Sequence, residues 1–505
     1  MTPRRHLLGL ALAAGAAPLF VRNARAADAD RFALGVASGQ PQPAGVVLWT
    51  RLTGADLPPA VEVRWEVAHD EAFSRIAARG SETARVEDAH SVHAEAAGLE
   101  PARWYWYRFH ALGQTSRGGR TRTAPAADAA VAQLDFLIAS CQRWETGHYA
   151  AWRHAAAENV DLVAFLGDYI YEYAGSPGHE VRPVSGGRVR TLEQYRARYA
   201  LHKSDPALQA AHAACPWLLV WDDHEVENDY AGLQGEFLQA DFAAQRAAAY
   251  QAYWEHMPLP KSARVAANGA ARMFGRLDWG RLARWHLLDD RQFRDVQVCP
   301  KPGRGGSNTV RPKDCPALLD PRRTLLGAEQ ERWLAEGWDL ERPWNLLAQQ
   351  TLMARFAWDD PAAGGLYWTD GWDGYAPARR RLLDTVAARR VPGTVVLGGD
   401  VHANYVADLK TDFDDPKGAV VASEFCGTSI SSLGLAQSRL DAALPFNPHV
   451  RWGRSDRRGY MRFALEPGRL QVQLRTLRDA RDAASAIDTA ARFVVEAGRP
   501  GPQAA

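Results

Sequence analysis

The chain has 505 residues, enough for two or more domains and a large core. Its 60 Lys and Arg against 59 Asp and Glu give a net charge of +1, which excludes a nucleic-acid-specific or membrane-binding surface built on charge excess.

Residues 1–26 read as an export signal. Arg4-Arg5 precede an apolar stretch, Leu7 to Phe20, shorter than the ~20 residues a membrane span needs. Ala24-Arg25-Ala26 supplies a small-residue cleavage site. Adjacent arginines beside Thr2, followed by Leu7-Leu8, favour the twin-arginine type, so the expected partner is the twin-arginine export machinery and the destination periplasmic or secreted. Cleavage removes four arginines and no acid, leaving 56 basic against 59 acidic residues and a charge of −3. No other stretch could serve as a transmembrane anchor.

Residues 31–125 read as a small all-β sandwich domain. Phe32 to Ser38 and Val46 to Leu52 are short strand candidates separated by Gln40-Pro41-Gln42-Pro43. Val61, Val63, Trp65 and Val67 then alternate with charged residues, the period of a half-buried strand. Leu99 to Tyr107 sets a Leu-x-Pro turn ahead of an aromatic strand, with Tyr105 placed to bond back to the turn. That arrangement resembles the tyrosine corner of fibronectin type III-like sandwiches. Arg117 to Ala130 reads as a linker.

From 131 to 485, apolar runs alternate with helical patterns such as Gly147 to Glu158, Leu192 to His202 and Phe237 to His256, which predicts an α/β domain. Residues 174–189, rich in Gly and Pro, form a long loop able to act as a lid. Phe463 to Pro467 and Leu470 to Leu477 pair around Gly468. Residues 486–505 are expected to be a C-terminal tail, disordered from Pro500 onward. Of five cysteines, Cys299 and Cys315 flank a Gly-, Pro- and Arg-rich loop and are expected to form a disulfide, with a loop-closure contribution of about 3 kcal/mol. Cys215 and Cys426 read as buried structural residues.

Four runs end in ligand chemistry. Leu134 to Ala139 leads into Ser140-Cys141, Leu162 to Leu166 into Gly167-Asp168, Trp217 to Trp221 into Asp222-Asp223-His224-Glu225, and Thr394 to Leu397 into Gly398-Gly399-Asp400-Val401-His402. In α/β sheets the carboxyl ends of the strands are where ligands bind. A single cleft would therefore hold Cys141, Asp168, Tyr171, Asp223, His224, Asp400 and His402. So many buried carboxylates without cations would repel one another and lose their charge, so metal is the simpler solution.

The donors divide by softness. The Cys141 thiolate, Tyr171 phenolate and His402 imidazole suit a transition metal, and the two anionic donors favour ferric iron. Asp168, Asp223 and Asp400 offer hard oxygens that suit Ca²⁺ or Mg²⁺. Two unlike ions bridged by Asp168 would make a phosphoryl-transfer site, with His224 placed to bind or protonate the phosphate or the leaving group.

Gly167-Asp168-x-x-Tyr171, Trp221-Asp-Asp-His-Glu225, Asp289-x-Arg-Gln-x-Arg294 and Gly399-Asp-Val-His402, with Ser140-Cys141-Gln142, resemble the calcineurin-like metallophosphoesterase blocks, and within them the PhoD-like alkaline phosphatases and phosphodiesterases. The resemblance covers nearly the whole chain. It implies a four-layer α/β/β/α sandwich behind the N-terminal fibronectin III-like domain, and a dinuclear Fe³⁺/Ca²⁺ site rather than one of Mg²⁺ or Zn²⁺. Cys141, Asp168, Tyr171 and His402 would bind iron, and Asp168, Asp223 and Asp400 calcium. The wider superfamily has a late His ligand without a match here, and Gln350 or Asn345 is the candidate for its place. Arg143, Arg291 and Arg294 are candidate phosphate contacts.

The expected activity is hydrolysis of phosphate monoesters and diesters at alkaline pH through a metal-bound hydroxide. Two rivals are a phospholipase D-like phosphodiesterase acting on lipid headgroups or cell-wall polymers at the same site, and a secreted surface-binding protein with a structural metal centre.

Overall fold

A computed structural model describes residues 30–505 apart from 176 and 267, so the export signal lies outside the described residues. Two β-sheets face each other at the centre. The first runs, edge to edge, through ten strands, with Leu134–Ala139, Leu162–Phe165 and Trp217–Leu219 parallel and adjacent in its middle. The second has seven strands, among them Ala283–Leu287, Trp344–Ala348, Thr394–Gly398 and Val420–Cys426, all parallel.

Period-two patterning assigns the faces. Phe136, Ile138, Leu162, Ala164 and Leu218 of the first sheet pack against Trp285, Leu346, Val395 and Phe425 of the second, forming an apolar layer between the sheets. The alternate residues, Leu137, Val163 and Phe165, turn outward onto the helices Ala150–Ala155, Leu192–Lys203, Pro206–Ala214 and Phe242–His256. On the far side Leu347 and Val396 meet the helices Gly327–Glu336, Ala376–Arg389 and Gln437–Ala443. The layers are therefore α/β/β/α. Strands buried on both faces read as continuous apolar runs, which is why they were legible.

The N-terminal all-β region does not stand apart. Val36–Gln42, Gly45–Arg51 and Ser91–Ala97 continue the ten-stranded sheet, joined at Gly39 beside Trp217. Ala60–Ala68, Ile76–Arg85 and Trp104–Ala111 belong to a separate five-stranded sheet packed over them. Gln40-Pro41-Gln42, expected to separate strands, lies inside the first of them. The tyrosine corner is present: the Glu100 backbone N–H donates to the Tyr105 hydroxyl at 2.9 Å.

The chain's end corrects an expectation. Instead of a tail, Ile487–Glu496 and Arg499–Ala504 are the last two strands of the ten-stranded sheet, and Phe493 and Val495 enter the inter-sheet core. Gly501 and the prolines beside it masked the second strand, which is tolerated because it sits at the sheet edge. The Cys299–Cys315 disulfide is formed. Among the described residues no helix is long and apolar enough to cross a membrane.

Candidate metal centre

Parallel register brings the candidate ligands together. Ala139 pairs with Phe165, and Phe165 with Leu219, so Cys141, Asp168 and Asp222 all follow the carboxyl ends of adjacent strands of the first sheet. Asp400 and His402 follow the carboxyl end of Thr394–Gly398 in the second sheet. Cys141, Asp168, Asp400 and His402 all adopt left-handed backbone, with φ of 60°, 59°, 64° and 53°. Such conformations cost free energy in non-glycine residues and persist where neighbours over-determine them. Here the Cys141 N–H donates to Gly167 O at 3.0 Å and the Gly399 N–H to Gln350 O at 2.7 Å. Glu225 accepts from the backbone N–H groups of Asp168, Tyr169 and Asp222 at 2.9, 2.5 and 2.6 Å, tying two ligand turns to one carboxylate.

Three donor groups share Asp168, one of them with Asp223 and His224. Cys141, Asp168 and His402 offer ligand atoms within 4.8 Å of one another, and so do Asp168, Asp222, Asp223 and Asp400. The Tyr171 hydroxyl joins the first group, donating to Asp168 Oδ2 at 2.8 Å with His402 Nε2 3.0 Å away. His402 Nδ1 donates to Leu433 O at 2.7 Å, which leaves Nε2 as the free lone pair facing this group. His224 Nδ1 donates to Glu172 Oε2 at 2.8 Å, and its ring lies 4.2 Å from that of Tyr171.

The electrostatics show a shortage of positive charge. Asp168 Oδ1, Asp222 Oδ2 and Asp400 Oδ2 are buried without a hydrogen-bond partner. Burial, with repulsion from neighbouring carboxylates, pushes Asp222 and Asp400 well above the ordinary carboxylate range despite the Arg291 guanidinium. Burial and then Asp168 likewise raise the Cys141 thiol and the Tyr171 phenol. At His224, burial is outweighed by Asp223, Asp168 and Glu172, and the imidazolium is held well above its usual range. Orphaned carboxylate oxygens beside a thiol, a phenol and an imidazole are a donor set that fits cations, one group soft and anionic, the other all hard oxygen.

The remaining candidates divide. Arg143 lines the cleft, its guanidinium 3.8 Å over the Tyr171 ring and bonded to Glu145 at 3.0 Å and Tyr173 O at 2.9 Å. Arg291 and Arg294 are not substrate-facing. Arg291 is 1% exposed and is held between Asp222 and Asp370, with Asp400 3.5 Å away. Arg294 bonds Asp370 at 2.8 Å and Tyr230 O at 2.6 Å. Both neutralise buried carboxylates instead of awaiting a phosphate.

Neither candidate for the missing ligand reaches the site. Asn345 lies at the amino end of its strand, bonded to Asp339, Pro392 and His286. The Gln350 side chain is used by Leu288 O and the Asp290 N–H. Cys426 stands behind the Asp400 turn, its thiol against Gly399 O at 3.2 Å.

Three contributors carry no signal that singles them out in the sequence. Asp222 joins the hard-oxygen group although its neighbour drew the attention. Ser432 donates to the Tyr171 hydroxyl at 2.7 Å, and Leu433 orients His402, from a loop with no charged residue to mark it. Glu172, directly after Tyr171, was the findable one.

These groups open onto a cleft of about 480 Å³. Its other lining includes Trp358, Trp368, Phe356 and Leu435. Two arginines of the loop after Tyr173 are tied down: Arg188 pairs with Glu172 at 3.0 Å, and Arg182 with Asp205 at 2.7 Å.

Comparison with known proteins places the chain among phosphatases. The family model described as PhoD-like phosphatase matches residues 136–474, and that of the PhoD-like phosphatase N-terminal domain matches residues 16–125. Alkaline phosphatase D of Bacillus subtilis (strain 168) is 41% identical over 512 residues, covering 98% of this chain and 86% of that protein. A solved structure of PhoD superposes with a TM-score of 0.89 at 41% identity, covering 94% of this chain and 92% of the other.

Proposed function

The chain belongs to the PhoD-like phosphatase family and hydrolyses phosphoric ester bonds, and from that premise we propose an exported alkaline phosphatase acting on monoesters and diesters at a dinuclear Fe³⁺/Ca²⁺ centre. Cys141, Asp168, Tyr171 and His402 would hold the iron, and Asp168, Asp222, Asp223 and Asp400 the calcium. The observation that carries this reading is Asp168, the one residue common to the thiol–imidazole group and the all-carboxylate group, with a buried oxygen lacking any partner. Bound cations of this kind activate water and neutralise phosphate charge.

The chain's own residues supply the rest. With Nδ1 committed to Glu172, His224 presents Nε2 to the cleft as an imidazolium able to hold a phosphate oxygen or to protonate the leaving alcohol. Arg143, clamped by Glu145 and stacked on Tyr171, presents a fixed guanidinium for a phosphate oxygen. The twin-arginine signal at 1–26 supports export. Replacing Asp168 by Asn tests the reading: turnover of p-nitrophenyl phosphate should fall by at least three orders of magnitude, and full activity would overturn it.

A further inference from the structure

The mechanism above uses the polar part of the cleft and leaves its apolar part without a role. Trp358 and Trp368 are half-buried there, on segments joined by the Trp358 N–H donating to Leu366 O at 2.9 Å. Phe356 fixes this wall from behind, edge-on to Trp358 at 4.9 Å and to Tyr405 at 5.2 Å. The Trp368 indole N–H is already spent on Ser307 Oγ at 3.0 Å, so what the ring offers the cleft is apolar. Arg439 adds a planar cation 4.7 Å over the Trp358 ring and has no carboxylate within salt-bridge distance among the described residues. Trp368 is also braced from outside the catalytic sheets. Thr309–Val310, within the loop closed by Cys299 and Cys315, pairs with Tyr367–Trp368.

Two indoles held rigidly in the mouth of a hydrolytic site are costly to leave exposed unless something covers them. We propose that this wall is a subsite for the alcohol portion of the substrate, selecting phosphate esters that carry a planar aromatic group. The inference rests on the phosphatase reading and narrows its substrate class. Phe356, Leu352 and Leu435 add apolar lining to the two indole faces, which favours planar rings. They are favoured over flexible chains because flat rings stack on indole and guanidinium faces without losing rotamer freedom.

The test compares wild type with Trp358→Ala and Trp368→Ala on phenyl, ethyl and octyl phosphate; comparing variants within one substrate cancels the difference in leaving-group reactivity. kcat/KM for phenyl phosphate should fall at least tenfold in each variant while ethyl phosphate stays within twofold, and Trp358→Phe should restore phenyl phosphate turnover. Equal losses on all three esters, or a loss on octyl phosphate as large as on phenyl phosphate, would overturn the subsite. If wild type turned over none of the esters, the phosphatase reading would fail instead. Calorimetry would still judge the wall: phenylphosphonate binding at least tenfold tighter than methylphosphonate in wild type alone supports it, and equal binding overturns it.

Discussion

Lys203 ends the helix Leu192–Lys203 and is 2% exposed, with its ammonium 4.1 Å over the Trp49 ring and 5.4 Å from that of Tyr169. Among the described residues no carboxylate lies within salt-bridge distance of it, and burial alone pulls it from 10.5 down to about 7. The unfolded chain therefore holds a proton that the folded chain releases between pH 7 and 10.5. Stability from this group rises with pH across that window, and its penalty is complete below pH 7. At 1.36 kcal/mol per unit burial alone sets an upper bound of about 5 kcal/mol on the penalty at neutral pH, and cation–π attraction to Trp49, about 2 kcal/mol, reduces it by favouring the charged form. Lys203→Met keeps the stem and removes the charge. Urea unfolding should find the variant about 2–4 kcal/mol more stable than wild type at pH 7, with the gap closing toward zero by pH 10. His212 and His256 are lowered first by burial and also by the Lys203 charge, so removing that charge only eases two imidazoles that stay neutral in the folded chain from pH 7 to 10. A gap that is negative at pH 7 and unchanged at pH 10 would refute the reasoning.

Two further outcomes follow from local geometry. Gly167 has φ +101°, and a Cβ there would lie 2.3 Å from the Asp222 Cβ, so Gly167→Ala should cost about 2–5 kcal/mol of stability by thermal unfolding and displace both ligand turns. Replacing Cys299 and Cys315 together by Ser opens a loop of sequence separation 16 and should lower stability by about 2–3 kcal/mol in urea. An unchanged urea midpoint would place the brace on Trp368 elsewhere.

The catalytic strands were readable because burial on both faces gives unbroken apolar runs that stop abruptly at Gly or Asp. Leu162–Phe165 ending at Gly167-Asp168 is the clearest case. Residue type then singled out Cys141, Asp168, Tyr171, Asp223, Asp400 and His402 as candidate ligands, since Cys, Tyr, His and Asp seldom converge at strand ends without chemistry to do. What could not be read is pairing in space. Arg291 and Arg294 follow a strand end just as the candidate ligands do, and only their burial against Asp222 and Asp370 separates them from phosphate-binding arginines. Gln350 also follows a strand, yet its amide turns to Leu288 and Asp290 of the neighbouring segment. The C-terminal strands were missed for a related reason. A polar, Gly- and Pro-containing edge looks like a tail until a partner strand such as Ile487–Glu496 is known.

The central claim is that one carboxylate serves both donor groups, and elemental analysis of the purified protein tests it most directly. Wild type should carry iron and calcium, and Asp168→Asn should lose both. Two zinc ions without iron in wild type, or an Asp168→Asn protein retaining its full iron and calcium, would contradict the account.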